Sequence, residues 1–225
     1  MYLGAGSRDD ITLDEIRQSW TDVASRYADE PMAAFYELHN EPAAIAWEGG
    51  FWSFADWRAT ADDLMTLVRG TSPNTIPMLG GLDFAYDFSD GGEQPLASPD
   101  MALVVHPCPG RARPPRQPAW DQAFGYLANA YPRLLTEVGF DPCDDIVPDT
   151  YCADVKYGRE ILTYAEDKGI GWTAFGFYEG PYWPMPLFTD WESLTPTTSG
   201  RLFRDVLQGV PIEQAGETGT ECPND

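Results

Sequence analysis

The length, composition and charge of the chain restrict its class before any motif is considered. Its 225 residues, 43% of them hydrophobic, suit one globular domain with a substantial core, and no apolar run reaches membrane-spanning length. A formal net charge of −22 repels nucleic-acid phosphates and anionic membranes, so we expect neither as a partner.

The first predicted element is a helix that begins at a capping box. In Thr12-Leu13-Asp14-Glu15, the threonine and glutamate side chains can each accept a hydrogen bond from the other residue's backbone N–H. Apolar residues then recur at helical spacing and predict one buried face, formed by Ile16, Trp20, Val23, Ala24 and Tyr27. Asp29-Glu30-Pro31 is predicted to end this helix.

A buried strand is predicted next, and polar residues follow it. The apolar run from Met32 to Leu38 is long enough for one strand, and His39-Asn40-Glu41 follows before Pro42 stops it. In parallel α/β proteins the carboxyl ends of the strands carry the chemistry. Glu41 is therefore a candidate site residue, although a strand that has simply reached solvent would end in the same way.

The remaining chain continues the alternation of strands and helices, which favours a parallel α/β fold. Helices are predicted after Ser53, with a stop at Gly70, around Trp120–Ala128, from about Tyr151 to Asp167, with a stop at Gly169, and over Gly200–Gln208. Strands are predicted over Thr75–Gly80, Met101–Val105, Arg133–Gly139 and Ile170–Phe177. Residues 211–225 are predicted to be an acidic, disordered tail.

A second glutamate repeats the arrangement of the first. Arg133-Leu134-Leu135-Thr136-Glu137-Val138-Gly139 is an apolar strand with Glu137 near its far end. Two glutamates at the ends of parallel strands suggest the acid/base and the nucleophile of a retaining glycosidase, whose carboxyl groups lie roughly 5 Å apart.

With these motifs, the chain resembles the later part of a glycoside hydrolase family 5 enzyme, a cellulase-type (β/α)8 TIM barrel. The resemblance implies that Glu41, in Asn40-Glu41-Pro42, is the acid/base on the fourth strand, and that Glu137 is the nucleophile on the seventh. It implies a catalytic domain over residues 1–210 with about five of the eight β/α units. We interpret the sequence as an N-terminally truncated barrel; the rival interpretation is a part-barrel completed by another chain. A truncated sheet is expected to associate through its exposed edges.

The resemblance also implies the residues that contact the sugar. Asn40 matches the asparagine that binds the sugar 2-hydroxyl, and His106 matches the histidine of a His-x-Tyr motif whose tyrosine is replaced here by Cys108. Phe175 stands where the family has a sugar-stacking tryptophan. Four loop aromatics are expected as outer sugar platforms, although packing at the rim would explain each equally well: Trp47, Tyr86, Tyr178 and Trp183.

The implied function is that of a retaining endo-β-1,4-glycosidase acting on polysaccharide, without a cofactor or metal. A carbohydrate-binding pseudoenzyme and an inactive fragment remain alternatives, and the sequence does not choose between glucan, mannan and xylan. The resemblance implies an extracellular protein, although the first residues lack the pattern of a signal peptide. Cys143 and Cys152 lie in one loop region, and whether they form a disulfide is left open.

Overall fold

The structure is a computed structural model that describes residues 11–42, 53–92, 98, 100–141, 152–180 and 185–216. It divides into two compact units. The first unit comprises residues 1–105 with 126–133, and the second comprises residues 106–125 with 134–225.

The first unit alternates helices with three parallel strands. In chain order its elements are α1 (Leu13–Arg26), β1 (Phe35–Glu37), α2 (Phe54–Thr71), β2 (Ile76–Gly80), α3 (Leu82–Ala85) and β3 (Ala102–Val105). β1 pairs with β2, and β2 pairs with β3, in parallel register. The predicted capping box of Thr12 with Glu15 is present, and Ser53 forms a second one with Asp56 at the start of α2. α2 supplies much of the core, and its fully buried Trp57 donates from Nε1 to the Gly80 carbonyl at 2.9 Å.

In the described residues, the second unit contains two more strands and three α-helices. Its elements are α4 (Gln117–Ala123), β4 (Arg133–Val138, whose first residue belongs to the first unit), α5 (Val155–Lys168), β5 (Gly171–Ala174) and α6 (Thr198–Leu207). β4 and β5 are parallel. Aromatic rings fill the core, where Tyr157 of α5 meets Trp120 at 6.4 Å and Phe140 at 6.1 Å between ring centroids. Parallel strands that alternate with helices confirm the predicted α/β class.

Several predicted boundaries are wrong for local reasons. β1 is shorter than predicted, and Met32 is 86% exposed, because its N–H donates to the Glu30 carboxylate at 3.0 Å and holds a turn there. Gly70 does not end α2, since the helix continues to Thr71. Gly169 does end α5, in the left-handed conformation that favours glycine. β5 ends at Ala174 rather than at Phe177.

The start of the predicted tail is packed. Ala215 is fully buried, and Arg159 donates to the carbonyls of Ala215 and Gly216 at 2.9 and 3.1 Å. The prediction of disorder is therefore wrong for residues 211–216, because the contacts of the partly buried Arg159 could not be deduced from a polar composition. Residues 217–225 lie outside the described part of the chain. Among the described residues, no helix combines the length and hydropathy needed to span a membrane.

Candidate active site

In the first unit, the chain leaves β1 through Leu38 and turns at Glu41. The Leu38 N–H donates to the Met78 carbonyl at 3.0 Å, so pairing with β2 continues one residue beyond the strand. Glu41 then has a φ of 48°, in the left-handed region that non-glycine residues rarely occupy. Such residues cluster at functional sites, where the surrounding structure holds them in place.

The neighbouring residues fix the position of Glu41. The Pro42 carbonyl accepts a hydrogen bond from the Phe84 N–H at 3.1 Å. Gly80, at the end of β2, lets Pro42 approach closely, because a Cβ there would lie 3.1 Å from Pro42 Cδ and 2.8 Å from Ala85 Cβ. The turn that carries Glu41 is therefore held from the end of the adjacent strand.

Asn40 presents a buried amide. Its Nδ2 is buried and makes no hydrogen bond within the described residues. A buried donor without a partner is costly, so such a group is an indication of a ligand that supplies the acceptor. Asn40 also lines a groove of about 580 Å³ that runs between α1 and β1, together with Trp20, Tyr27 and Phe35.

His39 is a packed residue of the same segment. It is buried, its ring centroid lies 5.6 Å from that of Trp57, and burial lowers its pKa to about 4. The imidazole is therefore neutral at physiological pH.

In the second unit, Glu137 contacts His106. Glu137 Oε2 lies 3.5 Å from His106 Nδ1, and His106 Nε2 lies 2.9 Å from the Thr136 hydroxyl. The histidine side chain is 1% exposed and the glutamate side chain is 20% exposed. A carboxylate facing Nδ1 favours the tautomer with its proton on Nδ1, and Nε2 then accepts from the Thr136 hydroxyl.

An irregularity in β4 sets the direction of Glu137. Leu135 pairs with Trp172 and Val138 pairs with Ala174, so β4 has one more residue than β5 across Thr136-Glu137. This is a β-bulge, a feature that re-aims side chains and is over-represented next to active sites. The Thr173 hydroxyl donates to the Thr136 carbonyl at 2.5 Å and fixes the bulge.

Phe175 follows β5 and keeps partial exposure. Its N–H donates to the Val138 carbonyl at 2.8 Å, which ties it to the end of β4. Its ring meets Tyr178 edge-on at 5.8 Å, which leaves it half-buried. The structure thus places Phe175 in the same unit as Glu137 and next to the end of its strand.

The other predicted sugar platforms have different outcomes. Tyr86 is only 7% exposed and so offers no open face for a sugar, contrary to the prediction. The cause is the irregular geometry of α3, in which Asp83 and Phe84 take left-handed conformations and the Tyr86 N–H donates to the Leu82 carbonyl. Trp47 and Trp183 lie outside the described residues, so their roles stay predictions.

The cysteines differ in state. Cys108, which stands where the family tyrosine is expected, carries a thiol. Cys152 is disulfide-bonded. Cys143, which the sequence leaves as an open candidate for a disulfide with Cys152, lies outside the described residues.

Sequence reasoning missed Thr136, which contacts His106, and the aromatic pair Phe177 and Trp191, which are 70% and 55% exposed. Thr136 is a polar residue inside an apolar strand, and that was the available signal. The sequence pattern did not show which aromatic residues of the loop after β5 are exposed and which are buried.

Comparison with known proteins identifies the family. The model of the family described as Cellulase (glycosyl hydrolase family 5) matches residues 4–179. The chain belongs to glycosyl hydrolase family 5. A curated endoglucanase of Paenibacillus polymyxa is 24% identical to this family 5 chain over an alignment of 240 residues. The alignment covers 90% of this chain and 57% of that protein.

Solved structures agree with this assignment. A beta-glucanase of Saccharophagus degradans, solved in complex with cellotetraose, is 29% identical with a TM-score of 0.80. The match covers 90% of this chain and 62% of the beta-glucanase chain. The catalytic domain of the major endoglucanase of Xanthomonas campestris pv. campestris shares the fold at 21% identity, with a TM-score of 0.67, and covers 85% of this chain and 60% of its own. The family 5 chain thus spans less than two thirds of the length of these relatives. The predicted fold class is confirmed: five parallel strands and their helices correspond to part of a (β/α)8 barrel.

Proposed function

We propose that this family 5 chain carries both catalytic carboxylates of a retaining endo-β-1,4-glycosidase. The observation that supports this most directly is Glu137 at the bulged end of β4, oriented by the buried His106 at 3.5 Å. The strained backbone of Glu41 and the buried amide of Asn40 support a role for the first unit.

In the proposed mechanism, Glu137 acts as the nucleophile. Its carboxylate attacks the anomeric carbon while Glu41 donates a proton to the glycosidic oxygen, and the bond between carbon and that oxygen breaks. Glu41 then takes a proton from water, which attacks the same carbon and releases Glu137 from its ester. This double displacement requires the two carboxyl groups to lie about 5 Å apart.

Neighbouring residues of each unit assist these steps. The contact of His106 Nδ1 with Glu137 Oε2, at 3.5 Å, favours the ionised, attacking form of Glu137 and fixes its direction. In the first unit, Asn40 Nδ2 is the proposed donor to the sugar 2-hydroxyl, a bond that strengthens in the transition state. Phe175 is the proposed stacking surface for the sugar ring, with less area than the tryptophan that the family resemblance implies there.

The proposed substrate is a β-1,4-linked glucan, and the proposed setting is extracellular degradation of polysaccharide. Relatives named as a beta-glucanase, solved with cellotetraose, and as an endoglucanase support the substrate. The disulfide at Cys152 supports the setting, because such bonds form and persist in oxidising compartments.

Hydrolysis of hydroxyethylcellulose and of an aryl cellobioside tests the assignment. Glu137→Ala is expected to lower both rates by more than about 10³-fold, because no other group forms the glycosyl ester. Glu41→Ala is expected to lower the polymer rate by about 10²–10⁴-fold and the aryl rate by less, since a good leaving group needs little protonation. Azide should restore part of the Glu41→Ala rate by replacing the activated water.

Glu166→Ala, on the exposed side of α5, is the matched control and should retain the parental rates. If Glu137→Ala keeps the parental rate on both substrates, the nucleophile is assigned wrongly. A folded parent chain that binds glucan without cleaving it would instead identify a pseudoenzyme.

A further inference from the structure

Three aromatic rings form a cluster in the loop that follows β5. Phe177 and Phe188 have ring centroids 5.1 Å apart, Phe188 and Trp191 4.7 Å, and Phe177 and Trp191 6.0 Å. All three pairs are edge-to-face, the geometry that aromatic quadrupoles favour. We call these three residues the aromatic corner.

Burial divides the aromatic corner into a base and two exposed rings. Phe188 is 3% exposed, whereas Phe177 is 70% and Trp191 55% exposed. Leu194, three residues after Trp191, is also 50% exposed. Large apolar side chains exposed together mark an interaction surface more often than scattered single ones do.

Hydrogen bonds hold the exposed rings in place. The Trp191 N–H donates to Glu179 Oε2 at 3.1 Å, and the Gly180 N–H donates to the Phe188 carbonyl at 3.0 Å. Asp190 accepts from the backbone N–H groups of Glu192 and Ser193 at 3.0 and 2.7 Å. A surface that is already ordered loses little conformational freedom when a ligand binds.

The shape and charge of the surface restrict its ligand. The Glu179 carboxylate contacts the Trp191 backbone, and Asp190, with its carboxylate bonded to the Glu192 N–H, precedes Trp191 in the chain, so an anionic ligand would be repelled and a neutral one would not. The planes of Phe177 and Trp191 meet at 73°, so they form a corner rather than a flat platform. A flat crystalline surface cannot contact both faces, whereas a single sugar chain can stack on one ring and abut the other.

We propose that Phe177 and Trp191 bind a single chain of neutral β-1,4-glucan, outside the residues assigned to catalysis. This inference rests on the proposed function for its choice of sugar. The apolar faces of the sugar stack on the rings, and the neighbouring carboxylates accept hydrogen bonds from its hydroxyl groups.

Binding measurements on the full chain test this proposal in a Glu137→Gln background, which prevents hydrolysis. The ligand is hydroxyethylcellulose, a neutral single-chain β-1,4-glucan, followed by isothermal titration calorimetry. Trp191→Ala is expected to raise the dissociation constant about tenfold and Phe177→Ala about fivefold, the loss that one aromatic contact implies. Leu207→Ala removes a side chain that is 73% exposed at the end of α6, and as the matched control it should bind like the parent.

Further measurements separate the alternatives. If Trp191→Ala and Phe177→Ala bind within about twofold of the parent, the proposal is wrong. An equal loss of binding to microcrystalline cellulose would indicate a flat platform and overturn the single-chain assignment. A parent dimer in sedimentation velocity that both variants abolish would identify a second copy of the chain as the occupant and overturn it too. If Trp191→Ala does not fold by circular dichroism, Trp191→Tyr should retain most of the affinity, and Phe177→Ala still decides the outcome.

Aryl cellobioside hydrolysis, measured without the Glu137→Gln change, separates this proposal from the proposed function. We expect Trp191→Ala to keep the parental rate, because Trp191 is not among the residues assigned to catalysis. A chain that never hydrolyses but loses glucan binding in Trp191→Ala would refute the proposed function alone. Hydrolysis that depends on Glu137, with unchanged glucan binding in both variants, would refute this inference alone.

Discussion

His106 and Thr136 show how single residues prepare Glu137 for its proposed role. The ring of His106 bridges the Thr136 hydroxyl and the Glu137 carboxylate, and it is shielded from water that would compete for these contacts. The carboxylate in turn decides which ring nitrogen carries the proton. The orientation of Glu137 thus depends on a residue that need not touch the substrate, which refines the role of His106 that the family resemblance implies.

His39 makes stability depend on pH. Its pKa is about 4 in the folded chain because of burial, against 6.5 for an ordinary histidine. The unfolded chain therefore binds more protons between these values, and the free energy of unfolding falls as the pH falls through this window. Above pH 6.5 the burial of His39 does not lower the free energy of unfolding. Near pH 4 it lowers the free energy of unfolding by about 3 kcal/mol.

Urea unfolding of the parent and of His39→Gln, at about pH 7.5 and about pH 4.5, measures this contribution. The carboxylates titrate alike in both proteins, so the difference between their pH dependences isolates His39. We expect the parent to lose about 2–3 kcal/mol more than the variant between the two conditions. Equal losses would show that His39 is not a buried neutral group.

The candidate residues could be predicted from sequence where chemistry and position coincide. Glu41 and Glu137 are polar residues at the ends of apolar runs, and both lie at or beyond the ends of strands in the structure. The burial of Tyr86 could not be predicted, because it depends on left-handed conformations of Asp83 and Phe84 that hydrophobic periodicity does not encode.

Among the secondary-structure elements, the starts of helices could be predicted from the sequence, whereas the β-bulge in β4 could not. The capping boxes at Thr12 and Ser53 are local interactions, and each is satisfied within four residues. The β-bulge at Thr136-Glu137 depends on the pairing register with β5, which is a non-local property. A sequence motif therefore identified Glu137, but only the sheet shows how it is aimed.

The packing of α5 on α6 rests on Gly158. A Cβ at this position would lie 2.3 Å from Leu202 Cδ2 and 2.6 Å from Phe140 Cε1. Alanine has a better helix propensity by about 1 kcal/mol, but overpacking a core costs about 1–3 kcal/mol. We expect the overpacking to dominate, so that Gly158→Ala lowers the free energy of unfolding by about 1–2 kcal/mol.

Gly70→Ala is the control for helix propensity. Gly70 lies in the last turn of α2, and a Cβ added there would have no atom within 4 Å, so the substitution should stabilise the chain by up to about 1 kcal/mol. Urea unfolding of both variants compares the two effects. If both variants gained stability equally, the close packing of Gly158 in α5 against Leu202 would be contradicted.

At the scale of the whole molecule, the exposed edge of β1 predicts association. Within the described residues, β1 pairs with β2 alone, and Phe35 on this strand is 49% exposed beside the groove that α1 lines. Unpaired backbone groups next to exposed apolar side chains favour pairing with another chain. We expect sedimentation velocity to show association that increases with protein concentration.

A charge at this edge should suppress that association. Phe35→Lys places a solvated charge on β1, a device that natural edge strands use. Leu207→Lys, which makes the same change of charge at another exposed apolar position, is expected to associate like the parent. A parent chain that stays monomeric at every concentration would contradict the prediction.

Glu137 is proposed to form a covalent bond to the sugar, and trapping that bond is the decisive experiment. A 2-deoxy-2-fluoro cellobioside with a dinitrophenolate leaving group slows breakdown of the ester enough for mass spectrometry of the intact chain and its peptides. We predict one added fluoroglycosyl mass on Glu137, still formed in Glu41→Ala and absent in Glu137→Gln. An ester on another carboxylate, or hydrolysis that proceeds without an ester and with inversion at the anomeric carbon, would contradict the account.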